Sequence, residues 1–255
     1  IKKIPDFTTS RMDTAARKRV ELHCHTKMSD MDGVSDVKDI IKRAKKWGHK
    51  AIAITDHNAS ANVVAALQAG ERYGVKVFPG MEVECLEEAH IVVLFDKMKQ
   101  LVAWQKLVDS KMNGLPNDAN RFGAQFVVDE DDNFLREDER LLHAPLAMTA
   151  EEVVREVNAL GGIAIAAHID RPSYSIIGQL GFIEPDFGFA AAEISTAGWK
   201  RNLQSKLQRL TGFLPYLTNS DAHNILDFVQ GPKNLLTVEE LTIAELKLAL
   251  QNSGG

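Results

Sequence analysis

The sequence predicts an α/β protein in which short buried strands alternate with amphipathic helices. Three observations support this class: short apolar runs recur along the chain, helical periodicity follows most of them, and histidines stand at the ends of several runs. Repeated strand and helix units favour a parallel sheet, either closed into a barrel or open. In both arrangements ligands gather at the carboxyl ends of the strands.

The first half of the chain predicts four strand and helix units. The first strand covers residues 20–25, and a helix from about Ser35 has apolar residues at helical spacing before Gly48, which occupies the stop position. The following elements are a strand over 51–55, a helix over 60–73 closed by Gly74, a strand over 75–78, a Pro79-Gly80 turn into 81–84, a strand over 90–95 and a helix over about 97–112.

The second half resumes the alternation after a long interruption. Thr149 and Glu152 form a capping box for a helix that ends at Gly161-Gly162. This helix leads into a strand over 163–167. Further strands are predicted over 190–194, 216–218 and 235–238, with a last helix near 243–250.

The interruption, about residues 113–147, is rich in turn residues and charge. It contains the acidic run 129–132 and the mixed run 136–140. The acidic run has the beginning of a calcium-loop pattern, but Phe134 stands where that loop needs glycine for its sharp turn. We therefore expect a solvated hairpin or lid inserted between two strand and helix units.

Composition narrows the class of protein. A chain of 255 residues with 45% hydrophobic residues suits one globular domain with a large core. The net charge of -5 argues against a broad nucleic-acid-binding face, so no stable nucleic-acid partner is expected. Cys24 and Cys85 are too few for a disulfide framework, and neither a signal peptide nor a membrane-length apolar stretch is visible. We expect a cytoplasmic protein without a membrane partner.

The histidines carry the strongest chemical signal. His23 and His25 are two residues apart on a predicted strand, so their side chains share one face and could hold one ion. Such a pair alone is more typical of two ordinary half-buried imidazoles. Three further runs end in similar groups: Thr55-Asp56-His57, Ala166-Ala167-His168 and Ser220-Asp221-Ala222-His223. Mixed imidazoles and carboxylates suit zinc, manganese or iron better than magnesium alone.

Two histidines fall outside this pattern. His49 and His143 are not at the ends of predicted strands. We expect both on the surface.

Taken in order, these groups resemble the four motifs of the PHP (polymerase and histidinol phosphatase) family. The resemblance also covers Glu82, which follows the Pro-Gly pair, and His90, which opens the next strand. It implies a distorted (β/α)7 barrel with the active site at the carboxyl ends of the strands. It also implies up to three divalent ions, among zinc, manganese, iron and magnesium. The implied ligands are His23, His25, Asp30, His57, Glu82, His90, His168, Asp221 and His223.

The family resemblance also implies an activity. It predicts a metal-dependent phosphoesterase in which a metal-activated hydroxide at a trinuclear site attacks the phosphate ester of a small metabolite or nucleotide. Glu82 would bridge two ions, Asp221 would take a proton from the attacking hydroxide, and His168 would protonate the departing oxygen. Standalone relatives have an arginine near Arg171, which we expect to bind substrate phosphate.

Three carboxylates near the motifs receive other roles. Asp56 is predicted to orient a ligand histidine or a helix terminus rather than to bind metal. Glu84 could bind metal, but a carboxylate at the rim of the site or behind the ligands explains its position at least as well. Glu193 is expected to pair with a cation.

The chain divides into an N-terminal extension over 1–18 and a phosphoesterase domain over 19–250 that contains the lid. Residues 18–57 look most like the PHP domain of C-family bacterial replicative DNA polymerases, whereas 87–194 look like standalone PHP phosphoesterases, as in a natural or engineered mosaic. Two alternatives therefore stay open: a 3′–5′ exonuclease module of polymerase type, or a non-catalytic, metal-stabilised module. A basic patch supports the exonuclease only weakly, because it also fits the solvent-exposed face of an amphipathic helix. The patch consists of Lys42, Arg43, Lys45 and Lys46.

Overall fold

The structure is a computed structural model that describes residues 16–29, 35–212, 214–229 and 234–252. Its strands are β1 (Ala16–Glu21), β2 (His49–Ile54), β3 (Lys76–Glu84), β4 (His90–Leu94), β5 (Phe126–Val128), β6 (Phe134–Glu137), β7 (Ile163–Ala166), β8 (Ala191–Glu193), β9 (Tyr216–Leu217) and β10 (Asn234–Val238). Its α-helices are α1 (Val37–Lys46), α2 (Ala61–Tyr73), α3 (Met98–Lys111), α4 (Ala119–Phe122), α5 (Ala150–Ala159), α6 (Ile176–Leu180), α7 (Thr196–Lys200), α8 (Gln204–Leu207) and α9 (Ile243–Asn252). Two 3₁₀ turns lie at Pro185–Phe187 and Asp227–Val229.

Eight of the strands form one sheet in the order β10-β1-β2-β3-β4-β7-β8-β9. Beyond the regular ladders, the amide of Asp221 donates to the carbonyl of His23, and the amide of His25 donates to the carbonyl of Ala222. These bonds join the segment after β1 to the segment after β9. The sheet is therefore a nearly closed barrel, which confirms the predicted fold class. The strand β10 is an addition that flanks β1 in antiparallel orientation.

The sheet is mixed, whereas the alternation of elements predicted a parallel one. Strand β4 runs antiparallel to both β3 and β7. Only residues 85–89 connect β3 to β4, and a parallel crossover needs a dozen residues or more. The reversal places the beginning of β4 at the edge where the neighbouring strands end.

The predicted turn at Pro79-Gly80 is wrong, because β3 continues through both residues. Up to Pro79 the strand pairs in parallel with β2, and from Gly80 it pairs with the antiparallel β4. A Cβ on Gly80 would lie 2.9 Å from the Leu94 side chain and 3.0 Å from the Ile54 carbonyl oxygen. Glycine is therefore required by close packing where the strand changes partners.

Apolar layers cover both faces of the sheet. Alternate residues of β2 pack into different layers. Ile52 and Ile54 belong to the layer that includes α1, α2, α3 and α5. Ala51 and Ala53 belong to the layer that α9 completes. The capping box of α5 is present, since Thr149 accepts from the Glu152 amide and the Glu152 side chain accepts from the Thr149 amide.

The inserted segment contains α4 and the antiparallel hairpin of β5 and β6. Its acidic turn contacts the first two helices, because Asp131 accepts hydrogen bonds from Lys38 at 2.9 Å and from Arg72 at 2.8 Å. The acidic run therefore ties the hairpin to the barrel. Within the part of the chain that the structure describes, no helix has the length and apolarity to span a bilayer.

Candidate metal centre

The barrel brings the histidines of separate strands together at one edge. His23 and His25 follow β1, His57 follows β2, and His168 follows β7. His90 opens β4, and only the antiparallel direction of that strand brings it to the same edge. The last contributions come from Asp221 and His223, which follow β9. Of the predicted ligands, Asp30 lies outside the described residues.

Glu82 is the centre of this cluster. Its carboxylate is buried, and its oxygens lie close to nitrogens of five imidazoles. The distances are 3.2 Å to His23, 3.4 Å to His25, 3.1 Å to His57, 3.1 Å to His90 and 3.3 Å to His168. A single carboxylate therefore contacts side chains from every motif except the last.

Asp221 supplies a second carboxylate beside the first. Its Oδ1 atom lies 3.2 Å from Nε2 of both His23 and His25 and 3.6 Å from Nε2 of His223. Its other oxygen lies 2.6 Å from Nη2 of Arg171. The predicted substrate-binding arginine is thus in direct contact with the cluster.

The spacing of these atoms fits bound cations. Nitrogen and oxygen ligands lie about 2.0–2.2 Å from zinc, so two ligands of one ion lie about 3.0–3.5 Å apart. The Nε2 atoms of His23 and His25 are 3.2 Å apart, and Glu82 is at similar distances from its imidazoles. Among the described residues, both Glu82 oxygens and Oδ1 of Asp221 are buried and have only these imidazole nitrogens as polar neighbours. Buried carboxylates need paired charge, and a metal ion between these atoms would supply it.

The donor atoms fall into three overlapping groups that could each hold an ion. The groups are His25, His57 and His223; His23, His25, Glu82 and Asp221; and His57, Glu82 and His90. Because His25, His57 and Glu82 are shared between groups, ions in neighbouring groups would have ligands in common.

The electrostatics keep the carboxylates ionised. Burial favours the neutral form of Glu82, but the charges of His90 and His23 outweigh it and hold the pKa of Glu82 well below its ordinary value. The pKa of Asp221 is likewise well below its ordinary value, because His23 and His25 outweigh burial. An ionised carboxylate pair is the form that binds cations.

The imidazoles respond in opposite directions. Burial lowers the pKa of His25, but hydrogen bonds and charges from Asp221 and Glu82 outweigh it and raise the pKa from 6.5 to about 9. For His57 burial dominates and holds the pKa well below its ordinary value. His57 is therefore neutral, the state of a metal-binding imidazole.

Behind the cluster, Glu193 fixes the orientation of His23. Its Oε2 lies 3.0 Å from Nδ1 of His23 and accepts a 2.7 Å hydrogen bond from Asn219. An ionised carboxylate only accepts, so Nδ1 carries a proton, and Nε2 is the ring nitrogen that faces the cluster and could bind a cation. A cationic partner for Glu193 was expected from the sequence, but the identity of that partner as His23 was not. The signal was available in the position of Glu193 at the end of β8.

Asp56 holds two loops of the site together. It accepts hydrogen bonds from the Thr26 amide at 2.8 Å, the Thr26 hydroxyl at 2.9 Å and the Ser29 hydroxyl at 2.6 Å. Ser29 in turn accepts from the amide of His57 at 3.0 Å. Asp56 therefore orients the segment after His25 and the backbone of His57, rather than an imidazole ring.

Left-handed backbone conformations occur at several loop positions around the site. The φ angles are 47° at Asn58, 27° at His168, 56° at Tyr174 and 46° at Asp221. Residues with a Cβ adopt this region at a cost, and such strain gathers at functional sites. The left-handed conformation places the His168 and Asp221 side chains where a regular strand would not.

The two histidines predicted to lie on the surface are buried or half-buried. His49 is 3% exposed because it opens β2, with Nδ1 3.3 Å from the Ala44 carbonyl. His143 is half-buried, and its ring lies 4.6 Å from that of His57. The Asn58 amide donates to the carbonyls of both neighbours of His143, at 2.8 and 2.9 Å, which holds the inserted segment against the site. The surface prediction is therefore wrong for both.

Glu84 lies next to the site but in none of the three groups. Its side chain is buried, and burial raises its pKa. Its backbone amide lies 3.4 Å from the Asn58 side-chain oxygen. This position agrees with the role at the rim or behind the ligands.

The fold and the cluster define an α/β barrel protein with a buried, imidazole-rich site suited to divalent metal. The chain belongs to the PHP domain family, whose model matches residues 21–179. The His/Glu/Asp cluster of this chain could bind metal, and this agrees with the metal dependence of the family.

The curated relatives of the chain include DNA polymerase III proteins of the PolC type. The chain is 42% identical over 107 residues to the protein of Caldanaerobacter subterraneus subsp. tengcongensis, covering 42% of this chain and 8% of the relative. It is 30% identical over 210 residues to that of Staphylococcus saprophyticus, covering 74% of this chain and 14% of the relative. The chain thus spans only a small part of the length of these relatives.

Solved structures share the fold at low sequence identity. Endonuclease Q in complex with a 27-mer duplex that has an abasic lesion at the active site gives a TM-score of 0.65, with 19% identity over 94% of this chain and 57% of that chain. Endonuclease Q of Pyrococcus furiosus gives a TM-score of 0.63, again with 19% identity and the same coverage. A two-domain protein of Bacteroides vulgatus, containing a predicted PHP-like metal-dependent phosphoesterase, gives 0.54 with 15% identity over 94% of this chain and 64% of that one.

Proposed function

We propose that this protein is a metal-dependent phosphoesterase that hydrolyses a phosphate ester of a small metabolite or nucleotide. The observation that carries the proposal is the buried Glu82 carboxylate, which lies within 3.4 Å of nitrogens from five imidazoles. A buried carboxylate needs paired charge, and this many imidazole donors around it are suited to holding divalent cations. Membership of the PHP family supports hydrolytic chemistry at this position.

Nine side chains would hold up to three divalent ions, with zinc, manganese or iron preferred over magnesium. They are His23, His25, Asp30, His57, Glu82, His90, His168, Asp221 and His223. When bound, the ions would supply Lewis acidity toward the phosphoryl oxygens and lower the pKa of a coordinated water. Glu82 reaches two of the three groups, as a bridging carboxylate would.

The remaining roles are those that the family resemblance implies. Asp221 accepts the proton that the attacking water loses, and His168 donates a proton to the departing oxygen. Arg171 presents a planar guanidinium, which matches two phosphate oxygens. Its contact with Asp221 and its 44% exposed side chain support this assignment, since it faces both the cluster and solvent.

A pocket next to Arg171 gives the substrate space. It has a volume of about 330 Å³ and is lined by Arg171, Asp221, Glu193 and the polar residues Ser195, Asn219 and Ser220, among others. The volume is at the small end of the range for ligand pockets. It supports a small phosphorylated compound as substrate.

The proposed domain organisation has an extension over 1–18 and a phosphoesterase domain over 19–250, with a lid over 113–147. The contacts of Asn58 with the carbonyls around His143 support the lid, because they hold the inserted segment over His57.

A second candidate is a 3′–5′ exonuclease or a non-catalytic, metal-stabilised module of polymerase type. The PolC-type relatives favour it, and endonuclease Q shows that this fold accommodates DNA in another protein. The basic residues Lys42, Arg43 and Lys46 share a surface pocket on α1, which gives this candidate modest further support.

The experiment starts from purified protein stripped with a chelator and reloaded with manganese, zinc or iron. Metal content is measured alongside phosphate release from an aryl phosphate and a nucleoside bisphosphate, and shortening of single-stranded DNA. The leading proposal expects phosphate release that depends on metal, and Glu82→Gln should abolish it while the exposed Glu71→Gln should not. DNA shortening without phosphate release would favour the exonuclease. Bound metal without any turnover would favour the non-catalytic module.

A further inference from the structure

We propose that the ring of Tyr174 is the surface on which the site stacks a planar leaving group, so that it selects esters of nucleosides or aryl alcohols. The inference rests on the proposed function, because it takes the phosphate to lie at the metal-ligand cluster. It narrows the proposed substrates to those with a planar leaving group and adds a residue that determines specificity.

Tyr174 lies beside the cluster and remains accessible. The His90 amide donates to its carbonyl at 3.0 Å, and the two ring centroids are 4.9 Å apart with planes inclined by 30°. The residue is nevertheless 49% exposed. One part of the ring thus packs on a candidate ligand while the rest is accessible to solvent.

The backbone holds the ring in this place at a conformational cost. Tyr174 has a φ of 56°, in the left-handed region that residues with a Cβ rarely adopt. Next to it, the Ser175 hydroxyl donates to the Arg171 carbonyl at 2.6 Å and accepts from the Gly178 amide at 3.0 Å. The loop between β7 and α6 is therefore fixed on both sides of Tyr174. Strain that the surroundings impose on an exposed aromatic residue indicates a function for its position.

The same loop presents a phosphate-binding group and an aromatic ring. The guanidinium of Arg171 contacts Asp221 in the cluster, and Tyr174 follows it by three residues. A phosphoryl group held by Arg171 would bring its ester group to the loop that also presents this exposed ring. Aromatic side chains bind planar rings by stacking, which tolerates different bases. The fitting substrate class is therefore a phosphate ester of a nucleoside or aryl alcohol.

The test compares two ligands that cannot be hydrolysed, phenylphosphonate and methylphosphonate, in binding to metal-loaded protein by calorimetry. Tyr174→Ala should weaken phenylphosphonate binding about tenfold, as expected for loss of one stacked ring, and leave methylphosphonate binding unchanged. Tyr174→Phe should bind both like the wild type. Trp47→Ala is the matched control, since Trp47 is 42% exposed but lies between α1 and the start of β2, at the opposite edge of the barrel.

Kinetics and metal content complete the test. Tyr174→Ala should lower kcat/KM for phenyl phosphate and not for glycerol phosphate. An unchanged affinity for phenylphosphonate would overturn the inference, and so would equal weakening of both phosphonates with reduced metal content, because the ring would then only support His90. If wild-type protein bound neither phosphonate and released no phosphate, the proposed function itself would be wrong and the inference would fall with it.

Discussion

Glu193 and His23 form a buried pair in which the carboxylate fixes the imidazole from the side away from the cluster. The 3.0 Å contact between Oε2 and Nδ1 leaves Nε2 of His23 directed at Glu82 and Asp221. Metal-binding histidines are commonly oriented in this way, and the partner raises the basicity of the ligand nitrogen.

Replacement of Glu193 should therefore weaken metal binding without unfolding the protein. We expect Glu193→Gln to reduce metal affinity about 10- to 100-fold, since the amide keeps the shape and removes the charge. Competition with a chromogenic chelator measures the affinity, and circular dichroism checks the fold. The exposed Glu71→Gln is the control. Unchanged affinity would show that His23 does not depend on this contact.

Asp221→Asn should reduce turnover far more than metal content. The imidazoles and Glu82 remain to hold metal, whereas an amide accepts a proton poorly, so we expect kcat to fall about 100-fold or more. Phosphate release and metal analysis on the same sample give the comparison. A proportional loss of both quantities would contradict the role of Asp221 as base and leave it only a ligand.

Asp56→Ala should destabilise the fold. The substitution leaves the Thr26 amide and the hydroxyls of Thr26 and Ser29 without the carboxylate that accepts from them. The loss of hydrogen bonds to a buried charge suggests about 3 kcal/mol in the free energy of unfolding. Chemical denaturation of the metal-free protein measures it, with the exposed Asp39→Ala as the control. A change below about 1 kcal/mol would show that the two loops are held by other contacts.

The metal-free protein should lose stability as the pH rises. Burial lowers the pKa of His25, but Asp221 and Glu82 together raise it from 6.5 to about 9. A raised histidine pKa contributes stability that is complete below the unfolded value of 6.5 and is lost as the pH passes through about 9. Metal requires neutral imidazole, so the metal-loaded form should not lose stability over this range. Thermal melts of both forms between these pH values test the prediction, and parallel slopes would contradict it.

The sequence predicted the alternation of strands and helices because apolar periodicity is local. It also singled out the histidines at strand ends, whose side chains converge in the structure, and their assignment as ligands stays a prediction. The reversal of β4 depends on pairing across the sheet, which local patterns do not encode. For the same reason, the sequence placed His90 at the start of a strand but did not indicate how its side chain reaches the other histidines.

The contacts that the sequence missed are long-range. The partner of Glu193 is His23, far away in the chain, and the position of His143 depends on Asn58 in a left-handed conformation. Pro79-Gly80 is a pattern typical of turns, yet the close approach of Leu94 and Ile54 explains the glycine inside a strand. In each case tertiary packing outweighed the local signal.

The hydrogen bonds between Asp221 and His23 and between His25 and Ala222 lie where the barrel closes on itself. An ion held by His23, His25 and Asp221 would therefore cross-link the first and last parts of the barrel, much as a disulfide fastens a long loop. Amide exchange at His25 and Asp221 should slow on metal loading more than exchange elsewhere in the sheet. Loss of the ion would then first open this closure, while strands β2, β3 and β4 remain paired.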